Sequence, residues 1–126
     1  MARILIVDDD PDVVESVTQL LETNGHETEC AFNRHEGMAR IGVFKPDLIV
    51  LDVMMEQPDD GLAMAQELRR QGFQRPILML TSISRATGLV YGKDPDMAPV
   101  DDFQEKPVEP VKLLERVNNL LRQREA

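Results

Sequence analysis

The chain has little that could staple it, anchor it in a membrane or hold it to nucleic acid. A single cysteine, Cys30, stands among 126 residues, so no intrachain disulfide can form. Cys30 reads as a small apolar strand residue rather than a redox group. No apolar run approaches the length of a membrane span. The opening Met1-Ala2-Arg3 leads straight into an apolar run, without the charged and apolar regions of a signal peptide. A cytoplasmic address without membrane contact is therefore expected. Basic residues are a minority: 14 Lys and Arg face 23 Asp and Glu, for a net charge of -9. Phosphate contacts need clustered cations, so direct nucleic-acid binding by this domain is not expected. Cations gather partly near the C-terminus (Lys112, Arg116, Arg122 and Arg124), where they suit a helix dipole. No internal repeat, low-complexity tract or linker interrupts the chain, which predicts one domain over residues 1–126.

What is present is a regular alternation. Residues 3–7 form a short β-branched-rich run, as expected of a buried strand. Asp10-Pro11 reads as an N-cap followed by proline at the first helical position. Val13, Val17, Leu20 and Leu21 then share a helical face, and Asn24-Gly25 ends that helix. Residues 27–32 are a second strand of weaker pattern. Asn33 caps a second helix through Met38, Ala39, Ile41 and Phe44, and Lys45-Pro46-Asp47 is a turn. Residues 48–51 are the most apolar strand, hence central. A loop runs from Asp52 to Gly61, and Leu62, Ala65 and Leu68 predict a third helix ending near Gly72. Residues 76–80 and 100–105 are the fourth and fifth strands. Glu109-Pro110 opens a last helix with Leu113, Val117, Leu120 and Leu121 on one face. Between them, residues 84–99 hold Gly88, Gly92, Pro95 and Pro99, so a short helical turn and an extended loop are expected there, not a long helix. This β-α alternation predicts an α/β fold, a parallel sheet covered by helices on both faces.

Polar residues stand where the apolar runs stop. Asp8-Asp9 follow the first, Asp52 the third, Thr81-Ser82 the fourth and Lys106-Pro107 the fifth. If the runs are parallel strands of one sheet, their carboxyl ends share an edge, and open α/β sheets bind ligands there. Two carboxylates about 4 Å apart repel by roughly 4 kcal/mol at an effective dielectric near 20. A hard divalent cation relieves such a cluster, and Mg²⁺ takes one or two carboxylates plus water and phosphate oxygens. Lys106 adds a counter-charge, and Thr81 a hydroxyl able to donate to a phosphoryl oxygen. Asp10 is a helix cap. His26 and His35 are expected at the surface.

Four segments in order, Val7-Asp8-Asp9-Asp10-Pro11, Leu51-Asp52-Val53-Met54-Met55, Leu80-Thr81-Ser82 and Glu105-Lys106-Pro107, resemble the receiver domain of two-component response regulators. The resemblance covers essentially the whole chain. It implies a flavodoxin-like (CheY-like), doubly wound, five-stranded sheet of order 2-1-3-4-5. It implies that Asp52 accepts a phosphoryl group from a histidine kinase or a phosphotransfer protein. Asp8, Asp9, Asp52 and the backbone carbonyl of Met54 match the ligands of Mg²⁺ or another divalent cation. Thr81 matches the switch hydroxyl, Lys106 the phosphoryl-contacting lysine, and Phe103 the aromatic that moves inward when the hydroxyl moves. The resemblance makes the chain a signalling phosphoacceptor, not an enzyme beyond its own phosphorylation and dephosphorylation. It names no downstream protein target and leaves a homodimer open.

The chain departs from the family in places. Glu56 stands where the family usually has proline, and Gly61 lies nine residues after Asp52, so the loop is one residue longer. The helix before the fifth strand is atypical and broken, which predicts signalling through another surface or a specialised partner. Met54 and Ile83 flank the expected phosphoryl position and offer no group to orient water, which predicts slow self-dephosphorylation. Three other functions compete with this one. A haloacid-dehalogenase-like phosphatase needs a second Asp two residues after the nucleophile, where Met54 stands. A flavin binder needs a Gly/Ser/Thr-rich phosphate loop where Asp8-Asp9-Asp10 stand. A pseudo-receiver, working as a phosphorylation-independent interaction module, is the alternative.

Overall fold

A computed structural model describes residues 2–53, 60–82, 100–106 and 108–125. Among these, β1 (Arg3–Val7), α1 (Pro11–Thr23), β2 (Glu27–Ala31), α2 (Arg34–Phe44), β3 (Leu48–Asp52), α3 (Asp60–Arg70), β4 (Ile77–Ser82), β5 (Asp102–Lys106) and α4 (Pro110–Glu125) follow in order. The strands form one sheet, β2-β1-β3-β4-β5, parallel throughout. This is the expected CheY-like order. It places β1 and β3 side by side at the centre, with Val7 paired to Leu51.

Strand alternation splits the core in two. Leu5, Val7, Ile49, Leu51, Ile77 and Met79 face α2 and α3, which add Phe44, Met64, Ala65 and Leu68. Ile4, Ile6, Leu48, Val50, Leu78 and Leu80 face α1 and α4, which add Val14, Val17, Leu21, Leu113, Val117 and Leu120. Burial of the sheet on both faces explains why β1, β3 and β4 read as continuous apolar runs.

Local signals fix the helix ends. Asp10 caps α1 by accepting from the Asp12 N–H at 2.9 Å, with Pro11 at the first position. Asn33 caps α2 through the Glu36 N–H at 2.8 Å, while the Glu36 carboxylate accepts from the Phe32 N–H at 3.0 Å. Gly25 after α1 takes φ 89°, a conformation that favours glycine.

Several boundaries and burials differ from the sequence reading. β4 runs on through Thr81 and Ser82, because both residues pair with β5. β5 begins at Asp102, since the Asp101 carboxylate is taken up by the Ile77 N–H at 2.8 Å and by Arg69 at 2.8 Å. Asp60 and Gly61 belong to α3 rather than to the preceding loop. Ala39 is exposed rather than on the buried face of α2. His26 is half-buried, not at the surface, because its Nδ1 accepts the Ala2 N–H at 3.2 Å. The expectations for Met54, Glu56, Ile83 and the broken helix in 84–99 fall outside the described residues.

Candidate functional site

The carboxyl edge of the sheet is built from the ends of its central strands. Asp8 directly follows β1, and its N–H donates to the Ala31 carbonyl at 3.1 Å, which extends the β1–β2 ladder past the last strand residue. Asp8 is fully buried, and one of its oxygens accepts from the Asp10 N–H at 2.9 Å. Asp9 is exposed beside it. Asp52 ends β3 opposite Leu80 and is only 4% exposed. The next peptide is held as well, since the Val53 N–H donates to the Leu80 carbonyl at 3.0 Å. The end of β3 is thus tied to β4 one residue before Thr81.

One oxygen from each of Asp8, Asp9 and Asp52 lies within 4.8 Å of the others. Two full charges at that spacing repel by roughly 3–4 kcal/mol at an effective dielectric near 20. The donor set is three hard oxygens with no nitrogen or sulfur. That suits Mg²⁺, which completes its shell with water and phosphate oxygens, and does not suit a soft metal. The residues therefore fit the cation that the sequence reading expects.

Thr81 is 3% exposed in β4 and pairs with Glu105. Phe103 is half-buried, pairs with Met79 and packs against the core under α2 and α3. By alternation Thr81 and Phe103 face this same layer, Thr81 nearer the carboxyl edge. Lys106 is the last residue of β5, opposite Ser82, so its backbone reaches the same edge. Met54, the expected carbonyl ligand, lies outside the described residues. Asp8, Asp9 and Asp52 thus come together, Thr81 stands on the strand next to Asp52, and Phe103 lies two residues further back.

One neighbour of the site escaped the sequence reading. Gly61, in the first turn of α3, donates its N–H to the Val53 carbonyl at 2.9 Å. Its α-carbon lies against the backbone of Asp52 and Val53. The sequence reading places Gly61 at the end of a loop, where residue spacing carries no sign of this close approach.

Comparison with known proteins agrees with this geometry. The family model described as "Response regulator receiver domain" matches residues 4–118. The response regulator MprA of Mycolicibacterium vanbaalenii is 42% identical over 120 residues, covering 95% of this chain and 50% of that protein. The chain spans about half the length of the curated relatives it matches. Among solved structures, the receiver domain of NtrX from Brucella abortus is 30% identical with a TM-score of 0.80, covering 94% of this chain and 98% of that one. A two-component response regulator from Clostridium difficile aligns over 100% of both chains at 26% identity, with a TM-score of 0.85. The sheet order, the acidic edge and these matches lead to one conclusion: the chain belongs to the receiver-domain family of two-component response regulators.

Proposed function

We propose that Asp52 is the phosphoacceptor of a signalling switch spanning residues 1–126, fed by a histidine kinase or a phosphotransfer protein. One observation carries the reading: the convergence of Asp8, Asp9 and Asp52 within 4.8 Å on the edge that Thr81 also reaches. In the transfer, a carboxylate oxygen of Asp52 forms the new P–O bond as the P–N bond of the phosphohistidine breaks. The departing imidazole nitrogen keeps the electron pair. Asp8, Asp9, Asp52 and the Met54 carbonyl are the proposed holders of Mg²⁺, which when bound neutralises charge on the transferring oxygens. Lys106 adds a second positive charge. Burial of Asp8 and Asp52 keeps these charges out of bulk water and so strengthens their effect.

The phosphorylated carboxylate draws the Thr81 hydroxyl toward it, and Phe103 moves into the space released. Both lie on the α2/α3 face of the sheet, so a charge change at the edge becomes a packing change beneath it. Receiver domains of response regulators are signalling domains, and the proposed output is altered protein binding in the cytoplasm. No nucleic acid is read by this domain in that scheme. No helix among the described residues is long and apolar enough to cross a membrane.

The test is incubation with a small phosphodonor and Mg²⁺, followed by intact mass. A gain of one phosphoryl group that vanishes in Asp52→Asn supports the proposal. No gain under any condition leaves a phosphorylation-independent interaction module as the function.

A further inference from the structure

Gly61 is needed for a steric reason. No positive φ is involved, since it sits within the ordinary helix α3. A β-carbon there would stand 1.9 Å from the Asp52 carbonyl oxygen, 2.7 Å from the Val53 α-carbon and 2.8 Å from the Asp52 carbonyl carbon. Ordinary contact between such atoms is about 3.5 Å, so something must move by about 1.5 Å. All three obstacles are backbone, so no side chain can swing aside.

The backbone in question is that of the acceptor itself. The Val53 peptide is held on two sides: its N–H donates to Leu80 at 3.0 Å and its carbonyl accepts from Gly61 at 2.9 Å. Displacing it strains the bond to Leu80, the residue before Thr81, and turns the Asp52 carboxylate away from Asp8 and Asp9.

Resting on the reading of Asp52 as acceptor, we propose that Gly61 is a positioning residue for phosphoryl transfer. The bare α-carbon lets the start of α3 seat directly on the Asp52–Val53 backbone. This contact fixes the acceptor carboxylate relative to its two acidic neighbours and to β4.

The experiment compares Gly61→Ala with two other glycine replacements in the full chain. Gly37→Ala also creates a clash beside α3, with a β-carbon 2.8 Å from Met64 Cε and 3.2 Å from Val7 Cγ2, but only with side chains. Gly42→Ala meets nothing within 4 Å. Mg²⁺ affinity is read from amide resonances, and phosphorylation from intact mass with a small phosphodonor at saturating Mg²⁺. Gly61→Ala is expected to weaken Mg²⁺ binding by roughly tenfold or more and to slow phosphorylation by roughly tenfold to a hundredfold. The other two stay near the parent in both. Should Gly61→Ala fail to fold, the parent chain decides. Its Gly61 and Val53 amide resonances are expected to move with Mg²⁺ at one midpoint while that of Gly42 stays still. A Gly61 resonance unmoved at saturating Mg²⁺ overturns the proposal, as does a folded Gly61→Ala that matches Gly37→Ala. A parent chain that neither responds to Mg²⁺ nor gains a phosphoryl group on Asp52 overturns the reading of the site instead.

Discussion

The two edges of the sheet treat charge in opposite ways. At the amino edge, charges meet opposite charges and backbone groups. Arg69 reaches Asp101 at 2.8 Å, donates to the carbonyls of Phe73 at 2.9 Å and Arg75 at 3.0 Å, and lies 6.0 Å from the Phe73 ring centre. Asp101 accepts from the Ile77 N–H, and Asp47 from the Arg3 N–H at 2.9 Å. At the carboxyl edge, three carboxylates crowd within 4.8 Å of one another. The first arrangement ties strand starts to loops and stabilises the fold. The second sets like charges against one another, a repulsion that a bound divalent cation would relieve.

Neutralising a carboxylate at the carboxyl edge should therefore separate function from stability. Asp52→Asn is expected to abolish phosphorylation altogether. The same replacement should raise the unfolding free energy without divalent cations by on the order of 1–2 kcal/mol, because it removes one of the mutually repelling charges. Chemical denaturation in a chelating buffer checks this. A variant less stable than the parent would show that the carboxyl edge is as well compensated as the amino edge, and the contrast would be gone.

The mirror experiment is at the amino edge. Arg69→Ala removes three hydrogen bonds and leaves Asp101 without its cation. The expected loss is about 1–3 kcal/mol in unfolding free energy, with phosphorylation of Asp52 unchanged. A stability loss joined to slower phosphorylation would show that the two edges are coupled through β4 and β5. Divalent cation gives a third measurement. At ten times its dissociation constant, Mg²⁺ should stabilise the parent by about 1.4 kcal/mol. Asp8→Asn should lose most of that gain, and Arg69→Ala should keep it. Thermal unfolding across a Mg²⁺ titration reads all three.

The same contrast explains what the sequence could reveal. Strand order and both core faces follow from apolar runs and helical stripes, because a sheet buried on two sides leaves few alternatives for Leu48–Leu51 or Ile77–Leu80. The acidic edge was readable because polar residues at strand ends stand out against those runs. The amino-edge network was not readable. Asp101 looked like the second residue of a strand, and only the fold shows its carboxylate bonded to Ile77 and to Arg69, which lies 32 residues earlier in the chain. Gly61 was missed for a related reason: its use is set by how close the Asp52 backbone comes, a distance that residue spacing does not encode. Exposure of His26 was misjudged because the N–H that its ring accepts belongs to Ala2, at the far end of a helix and a strand.

His26 gives the smallest expected effect and the finest test of the amino edge. Burial lowers its pKa below the usual histidine value, and a side-chain hydrogen bond with Asn118 partly offsets this. Accepting the Ala2 N–H at 3.2 Å also requires an unprotonated Nδ1. With the folded pKa depressed, the unfolded chain binds the proton more readily, so acid favours unfolding. The contribution is fully present above the unfolded value of about 6.5 and declines as pH falls below it toward the folded pKa. Carboxylates titrate lower and every other group is common to both proteins, so the difference between the parent and His26→Gln from pH 7.5 to pH 5.5 isolates the His26 imidazole. The parent's melting temperature is expected to fall by a degree or two more across that range than that of His26→Gln, which has no proton to gain. Equal falls in the two proteins would mean that the Ala2 contact survives protonation. The amino edge would then tolerate an added positive charge, which the matched charges along it argue against.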